Sequence, residues 1–398
     1  MNKKVSLGFT LALVFLAMAL SVAITAAATL GIYNSIIKDV AERSSLYSSV
    51  SAVDDLVRDN YFGEINETLL TAMMSEGYVE GLGDRYSYYM TADEYAVYKD
   101  DEKGNRGGIG IIAVYDEQNN NIYVAEVSAN SPAQLQGINK GDVITAVDTV
   151  SVTPANQEEL IKSLDGEKLT NVQVTFTHEG SSKTVSVARG YSAQTVYYSV
   201  EGTVGYIKIT DFYSTTADQL QAALKHFSTA SVTSVIFDLR NTEGGLIENA
   251  AECIDILVPV PTESTGAIAT AIDKEGKVVE TFTSDSNSVS YSMAVLVNAK
   301  TSGAAELFAC DLRDFGMAQL VGAKTAGNGT MQRVFELQNG GAVYLTVAKI
   351  SPYKSESFNG VGLTPDHTVE LTAEQNARLA MLSKADDPQY QKALELFK

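Results

Sequence analysis

The chain has 398 residues but only three histidines and two cysteines. His178, His226 and His367 lie far apart, without the spacing that holds a metal, so no metal or other cofactor is expected. Cys253 and Cys310 each sit in an apolar, helix-like stretch rather than a cysteine cluster, and read as buried free thiols. Basic residues are also scarce. There are 29 Lys and Arg against 49 Asp and Glu, a formal net charge of −20. Nucleic acid and broad anionic lipid surfaces both call for a basic face, so neither is an expected partner. Internal repeats and long low-complexity tracts are absent too, which excludes solenoid and fibrous architectures.

One long uncharged run is present. Lys3 and Lys4 precede Val5–Ile37, whose most apolar part is about Leu7–Ile32. About 20 apolar residues cross a bilayer as a helix. Two lysines before the run favour a cytoplasmic N-terminus. The run therefore reads as a signal anchor over 1–37, at the cell membrane as a single pass. Ala26-Ala27-Ala28 leaves a cleaved signal peptide as the alternative. Either way, the remainder is expected outside the cytoplasm.

Beyond it the texture changes twice. Residues 38–105 carry helical spacing, with Val53, Leu56, Val57 and Tyr61 on one stripe and a capping-box pattern at Thr91–Glu94. They form an expected helical collar. Residues 106–190 hold short β-runs: Gly107-Gly108-Ile109-Gly110-Ile111, Ile122–Val127, Val172–Phe176 and Thr184–Val187. Ser131-Pro132-Ala133 opens a short helix, with Pro132 in the first turn. Over 191–372, strands alternate with amphipathic helices at 216–227, 246–257 and 304–315. That alternation predicts an α/β core with a mainly parallel sheet. A helical tail over 373–398, with a helix near Glu374–Leu382, completes the chain.

The 106–190 segment resembles a PDZ domain. Its Gly-rich entry, Ser131-Pro132-Ala133, and the stretch Gly137-Ile138-Asn139-Lys140-Gly141-Asp142-Val143-Ile144 carry the likeness. The resemblance implies capture of a peptide C-terminus by backbone N–H groups of Gly107, Gly108, Ile109, Gly110 and Ile111, beside an open strand edge.

The core resembles the carboxyl-terminal processing peptidases, the serine–lysine tail-specific proteases of family S41. The matching motifs are Asp238-Leu239-Arg240-Asn241-Thr242-Glu243-Gly244-Gly245, Gly322–Gly329, and Gly360-Val361-Gly362-Leu363-Thr364-Pro365-Asp366. In that family a serine attacks the peptide carbonyl and a buried neutral lysine takes its proton. Here the nucleophile stretch reads Asn298-Ala299-Lys300-Thr301-Ser302-Gly303-Ala304-Ala305-Glu306-Leu307. Asn298, Thr301 and Glu306 set the register, so the serine column holds Gly303. The lysine column holds Asn328, while Gln332 retains the glutamine that positions the base. Gly244, Gly245 and Ala304 are the expected oxyanion turn. Glycine has no nucleophilic atom, and an amide does not accept a proton near neutral pH.

The resemblance thus implies an extracytoplasmic pseudopeptidase that binds peptide or protein C-termini, alone or assembled with itself or an active relative. The alternative is an active endopeptidase using Ser302 as a displaced nucleophile, with Lys324 or Lys300 as base. A purely structural oligomer subunit is a third reading. Glu306 is expected to anchor a turn or complement the helix dipole.

Overall fold

The computed structural model describes residues 47–398 apart from 104–105, 129, 193, 261–265 and 286–287, together with a few isolated positions before 47. The expected anchor over 1–37 lies outside that continuous stretch. Among the described residues no helix is long and apolar enough to cross a membrane. Two compact units, Met1–Met74 and Ser75–Lys398, divide the chain.

In the first unit a helix covers 47–60, and Arg58 forms ion pairs with Asp54 and Glu67. The expected collar is not wholly helical. After the helix Glu67–Glu80 comes a strand, Tyr88–Met90, which pairs antiparallel with Ala342–Tyr344. A short run of aromatic and apolar residues, Tyr88-Tyr89-Met90, suits a strand better than a helix. The helix Ala92–Glu102 starts at a Thr91–Glu94 capping box, as the sequence predicts.

The 106–190 segment folds into a sheet ordered Ile111–Asp116, Asn121–Val127, Val143–Val147, Asn171–His178, Ser181–Ala188. Ile122, Val124, Ile144, Val172, Val174 and Phe176 are fully buried and fill its core. The glycine-rich entry divides in two. Arg106–Gly108 pairs with Tyr191–Ser192 and Gly166–Glu167, and a new strand begins at Ile111. Ile111–Asp116 lies at the edge of its sheet. The sequence reading missed the helix Gln157–Ser163, which packs beside that edge. A helix so short shows too few turns to register as a periodicity.

The core contains a six-stranded sheet ordered Val196–Glu201, Val204–Ile209, Ser234–Asp238, Ser292–Val297, Ala318–Gly322, His367–Thr368. Only the first pairing is antiparallel. Both faces are covered, which explains the unbroken apolar runs. Val235, Phe237, Val295 and Val297 face the helices Thr216–Thr229, Ile247–Asp255 and Ala304–Asp314. Ile236, Ala294 and Leu296 face the C-terminal helix Pro388–Glu395 with Tyr390 and Ala393. A second, antiparallel sheet of five strands, not expected from the sequence, is built on Ala342–Pro352. The expected helix over 374–382 is two pieces, Ala373–Ala377 and a 3₁₀ turn Leu379–Met381.

Candidate active-site cavity and peptide groove

The site lies beyond the carboxyl ends of the parallel strands, the usual place for a ligand in an open α/β sheet. Each strand end supplies one piece: Asp211 after Val204–Ile209, Gly244 and Gly245 after Ser234–Asp238, Gly303 after Ser292–Val297, and Asn328 after Ala318–Gly322. Together with Ala304 and Gln332 they line one cavity of about 350 Å³. The residues that the motif register assigns to nucleophile, base, base-positioning amide and oxyanion turn therefore meet in space.

The register residues hold this arrangement. Asn298 Nδ2 donates to Asn241 Oδ1 at 2.8 Å, and Asn241 N–H donates to Asn298 Oδ1 at 3.0 Å. Thr301 Oγ1 donates to the Leu239 carbonyl at 2.8 Å. The Asp238–Gly245 turn and the turn at 298–303 are thus joined directly. Glu306 is fully buried and fastens the third loop. Its carboxylate accepts from the N–H groups of Gly303 (3.1 Å), Gly327 (2.8 Å) and Asn328 (2.7 Å), and from the Thr325 hydroxyl. It is the turn anchor the sequence reading expected. Burial raises its pKa despite those donors.

Gly303 caps the helix Ala304–Asp314 at φ +61°, ψ −116°. This is a left-handed conformation that side-chain-bearing residues adopt only under strain, as at the sharp strand-to-helix turns that present nucleophiles. A Cβ at position 303 would lie 3.3 Å from Asn328 Nδ2. Asn328 is held by a relay of hydrogen bonds. Gln332 Nε2 donates to Thr330 Oγ1 at 2.7 Å, and Thr330 Oγ1 donates to Asn328 Oδ1 at 2.6 Å. With its oxygen engaged, Asn328 turns its NH₂ toward Gly303. Where a serine–lysine peptidase needs a base, this cavity has a neutral hydrogen-bond donor.

The alternative catalytic groups are elsewhere. Ser302 is buried, does not line the cavity, and its N–H donates to the Thr242 carbonyl. It is not the helix cap, because Gly303 is. Lys300 is exposed and pairs with Glu243 at 3.4 Å. Lys324 is exposed. Gly245 adopts φ +97°, and a Cβ there would stand 2.6 Å from Phe212 N, so only glycine lets this turn reach the cavity.

The opposite wall was not legible in the sequence. Tyr88, Tyr98 and Tyr344 form an aromatic group, with Tyr88 stacked on Tyr344 at 4.9 Å and Tyr98 edge-on to it at 6.1 Å. Glu102 and Asp211 stand with them. Burial, together with the charge of Asp211, pushes Glu102 up to about 7, and burial raises Asp211 to about 6. The position of Asp211 just past a parallel strand was the one available signal.

A second cavity, of about 650 Å³, lies between the edge strand Ile111–Asp116 and the helix Gln157–Ser163. Gly107, Gly108, Gly110 and Ile111 line it. Ile109 does not: its side chain is buried in the 106–190 core and its carbonyl accepts from Ala133 N–H. Core residues Tyr197, Asp211 and Tyr213 close the groove, and Tyr197 Oη donates to the Ile111 carbonyl at 3.4 Å. Asp101, Asp211 and Tyr213 line both cavities.

Among the described residues, one group of potential metal ligands occurs, Cys310, Asp311 and Asp314. Its carboxylates accept N–H groups of Tyr353, Lys354 and Ser355, so it fastens a loop.

Comparison with known proteins agrees with this layout. Residues 203–369 match the peptidase family S41 model and residues 99–177 match the PDZ domain model. A Staphylococcus haemolyticus protein named "Probable CtpA-like serine protease" is 27% identical over 379 residues, covering 94% of this chain and 75% of the relative. A Staphylococcus aureus protein of the same name is 27% identical over 334 residues, covering 83% of this chain and 66% of the relative. A solved S41 protease-family structure from Bacteroides fragilis shares the fold, with TM-score 0.57 and 17% identity over 85% of this chain and 91% of that one. Residues 203–369 thus form a peptidase family S41 domain and residues 99–177 a PDZ domain, in a chain similar to the CtpA-like serine proteases.

Proposed function

We propose that this protein binds polypeptide C-termini through its PDZ groove and does not hydrolyse them. The observation that carries this reading is the meeting of Gly303 with the Asn328 amide in the cavity where nucleophile and base are required. Members of such a catalytic unit act together, so loss of both leaves binding and the oxyanion turn. The Asn328 NH₂ and the Gly244–Gly245 turn can still hold a peptide carbonyl. The open edge of Ile111–Asp116 supports capture by strand addition.

The test is hydrolysis of an unfolded protein with an apolar tail. The native chain and the single variants Gly303→Ser and Asn328→Lys are expected to be inert. The double variant is expected to gain measurable cleavage, since the remaining parts are in position. Gly303→Ser alone should lose about 1–3 kcal/mol of stability because of its backbone conformation. Cleavage by the native chain that disappears in Ser302→Ala would overturn the proposal.

The uncharged run behind Lys3 and Lys4 supports anchoring to a membrane with the rest of the chain outside the cytoplasm. Protease added to intact cells should then degrade the chain beyond residue 47; complete protection would refute this topology.

A further inference from the structure

The two cavities have different chemistry. The groove offers glycine backbone and, beside Lys162 and Asp165, the apolar side chains Ile161 and Leu164, suited to an apolar C-terminal residue. The catalytic cavity offers tyrosine faces and carboxylates. Among the described residues its one lining base is Arg85, whose guanidinium sits over the Tyr86 ring at 4.7 Å and donates to Tyr86 Oη at 2.5 Å. Among the described residues, neither Glu102 nor Asp211 forms an ion pair with lysine or arginine. Glu102 is also near Glu248, which adds to the same negative field. Aromatic faces beside partly buried carboxylates form a receptor for an organic cation, because ring quadrupoles and carboxylates attract the same charge. Asp211 and Tyr213 belong to both walls, so a chain leaving the groove meets the carboxylates first.

We infer that the occupant of these adjoining cavities is a polypeptide tail with a free apolar C-terminus and a lysine or arginine upstream of it. The C-terminus lies against the Gly108–Ile111 loop, and the cation lies among Tyr98, Tyr344, Glu102 and Asp211. The inference rests on the peptide-binding reading above and names the class of tail that is selected. It also gives the emptied site a use. A cavity that no longer holds a base still reads charge.

The experiment measures binding of labelled peptides to the full chain by fluorescence anisotropy. Each peptide ends in a free apolar residue, and one lysine is moved a position at a time along an otherwise neutral sequence. At one position the lysine peptide should bind about ten-fold tighter than its glutamate counterpart. That preference should shrink with added salt and in Asp211→Asn and Glu102→Gln. Peptides with a carboxamide end should lose the groove contribution yet keep the charge preference. Equal binding of lysine, neutral and glutamate peptides, with the free C-terminus still required, would overturn this inference and leave the peptide-binding reading intact. Absence of binding by every peptide would overturn both. The peptide series on the unaltered chain decides the matter even if a carboxylate variant does not fold.

Discussion

At the scale of single residues, Glu306 does more than Gly303 or Asn328 to keep the site in shape. One side chain terminates N–H groups from two separate loops and the hydroxyl of Thr325. Glu306→Gln keeps its size but replaces one acceptor oxygen with a donor. One pair of these donors then faces an NH₂ group, and each unsatisfied buried group costs about 1–3 kcal/mol. Chemical denaturation of the variant should show a loss of about 2–4 kcal/mol. An unchanged midpoint would mean that the loops hold together without this carboxylate. Gly303 and Asn328 illustrate what a sequence alone can yield. The Gly303 column was identifiable because Asn298, Thr301 and Glu306 fix its register without a gap, and the Asn328 column because the Gly322–Gly329 loop fixes a second register. That a Cβ at position 303 would stand 3.3 Å from Asn328 Nδ2 was not, because it depends on where two loops separated by a helix and a strand come to rest.

At the scale of elements, the helix Ala92–Glu102 delivers a carboxylate to the wall of the core cavity. Glu102 and Asp211 are both raised by burial, to about 7 and about 6. Glu248 and Glu306 shift in the same direction. In the folded state these groups keep protons that the unfolded chain releases at ordinary carboxylate values. The stability they contribute is complete below those values and is lost as pH rises through the folded-state values. The unfolding free energy should therefore fall between about pH 4 and pH 7, and the upper part of that fall should flatten in Glu102→Gln. Denaturant titrations across this range check both statements, and a rise over the interval would contradict them. The charges of Asp211, Glu248 and Asp101 add to the shift of Glu102, and a hydrogen bond with Asn249 opposes it. The element boundaries also explain an error of reading. The stretch Gly107–Ile111 reads as the start of one strand, but Gly110 takes φ +83°, and one strand ends at Gly108 while another begins at Ile111.

At the scale of the whole molecule, the Asp238-Leu239-Arg240 motif secures the C-terminal segment. Arg240 is buried and bonds Asp238 through two nitrogens, at 2.6 and 3.0 Å, while Nη1 pairs with Asp387 at 2.7 Å. Burial disfavours the Asp238 charge, but Arg240 and Lys208 outweigh it and hold the carboxyl well below its ordinary range. Removing one member of a buried ion group strands the others. Arg240→Ala is expected to cost about 3–5 kcal/mol, read from denaturant unfolding of the variant. A loss below about 1 kcal/mol would mean that water replaces the guanidinium freely. This motif reads in sequence as part of a catalytic turn, and the structure adds that it also carries the tail over Pro388–Glu395.

What the sequence determined by itself was local or register-bound. It contained the β–α alternation, the capping box at Thr91, the glycine-rich entry, and the identities at 303, 328 and 332. Each follows from periodicity or from neighbours a few residues away. The tertiary structure alone decided that Asp211, Glu102 and the tyrosines share a wall, that the groove and the cavity at Gly303 have residues in common, and that an edge strand from 88–90 joins a sheet built on 342–352. Those are contacts between segments separated by 100 residues or more, set by how the sheets pack. No spacing along the chain encodes them.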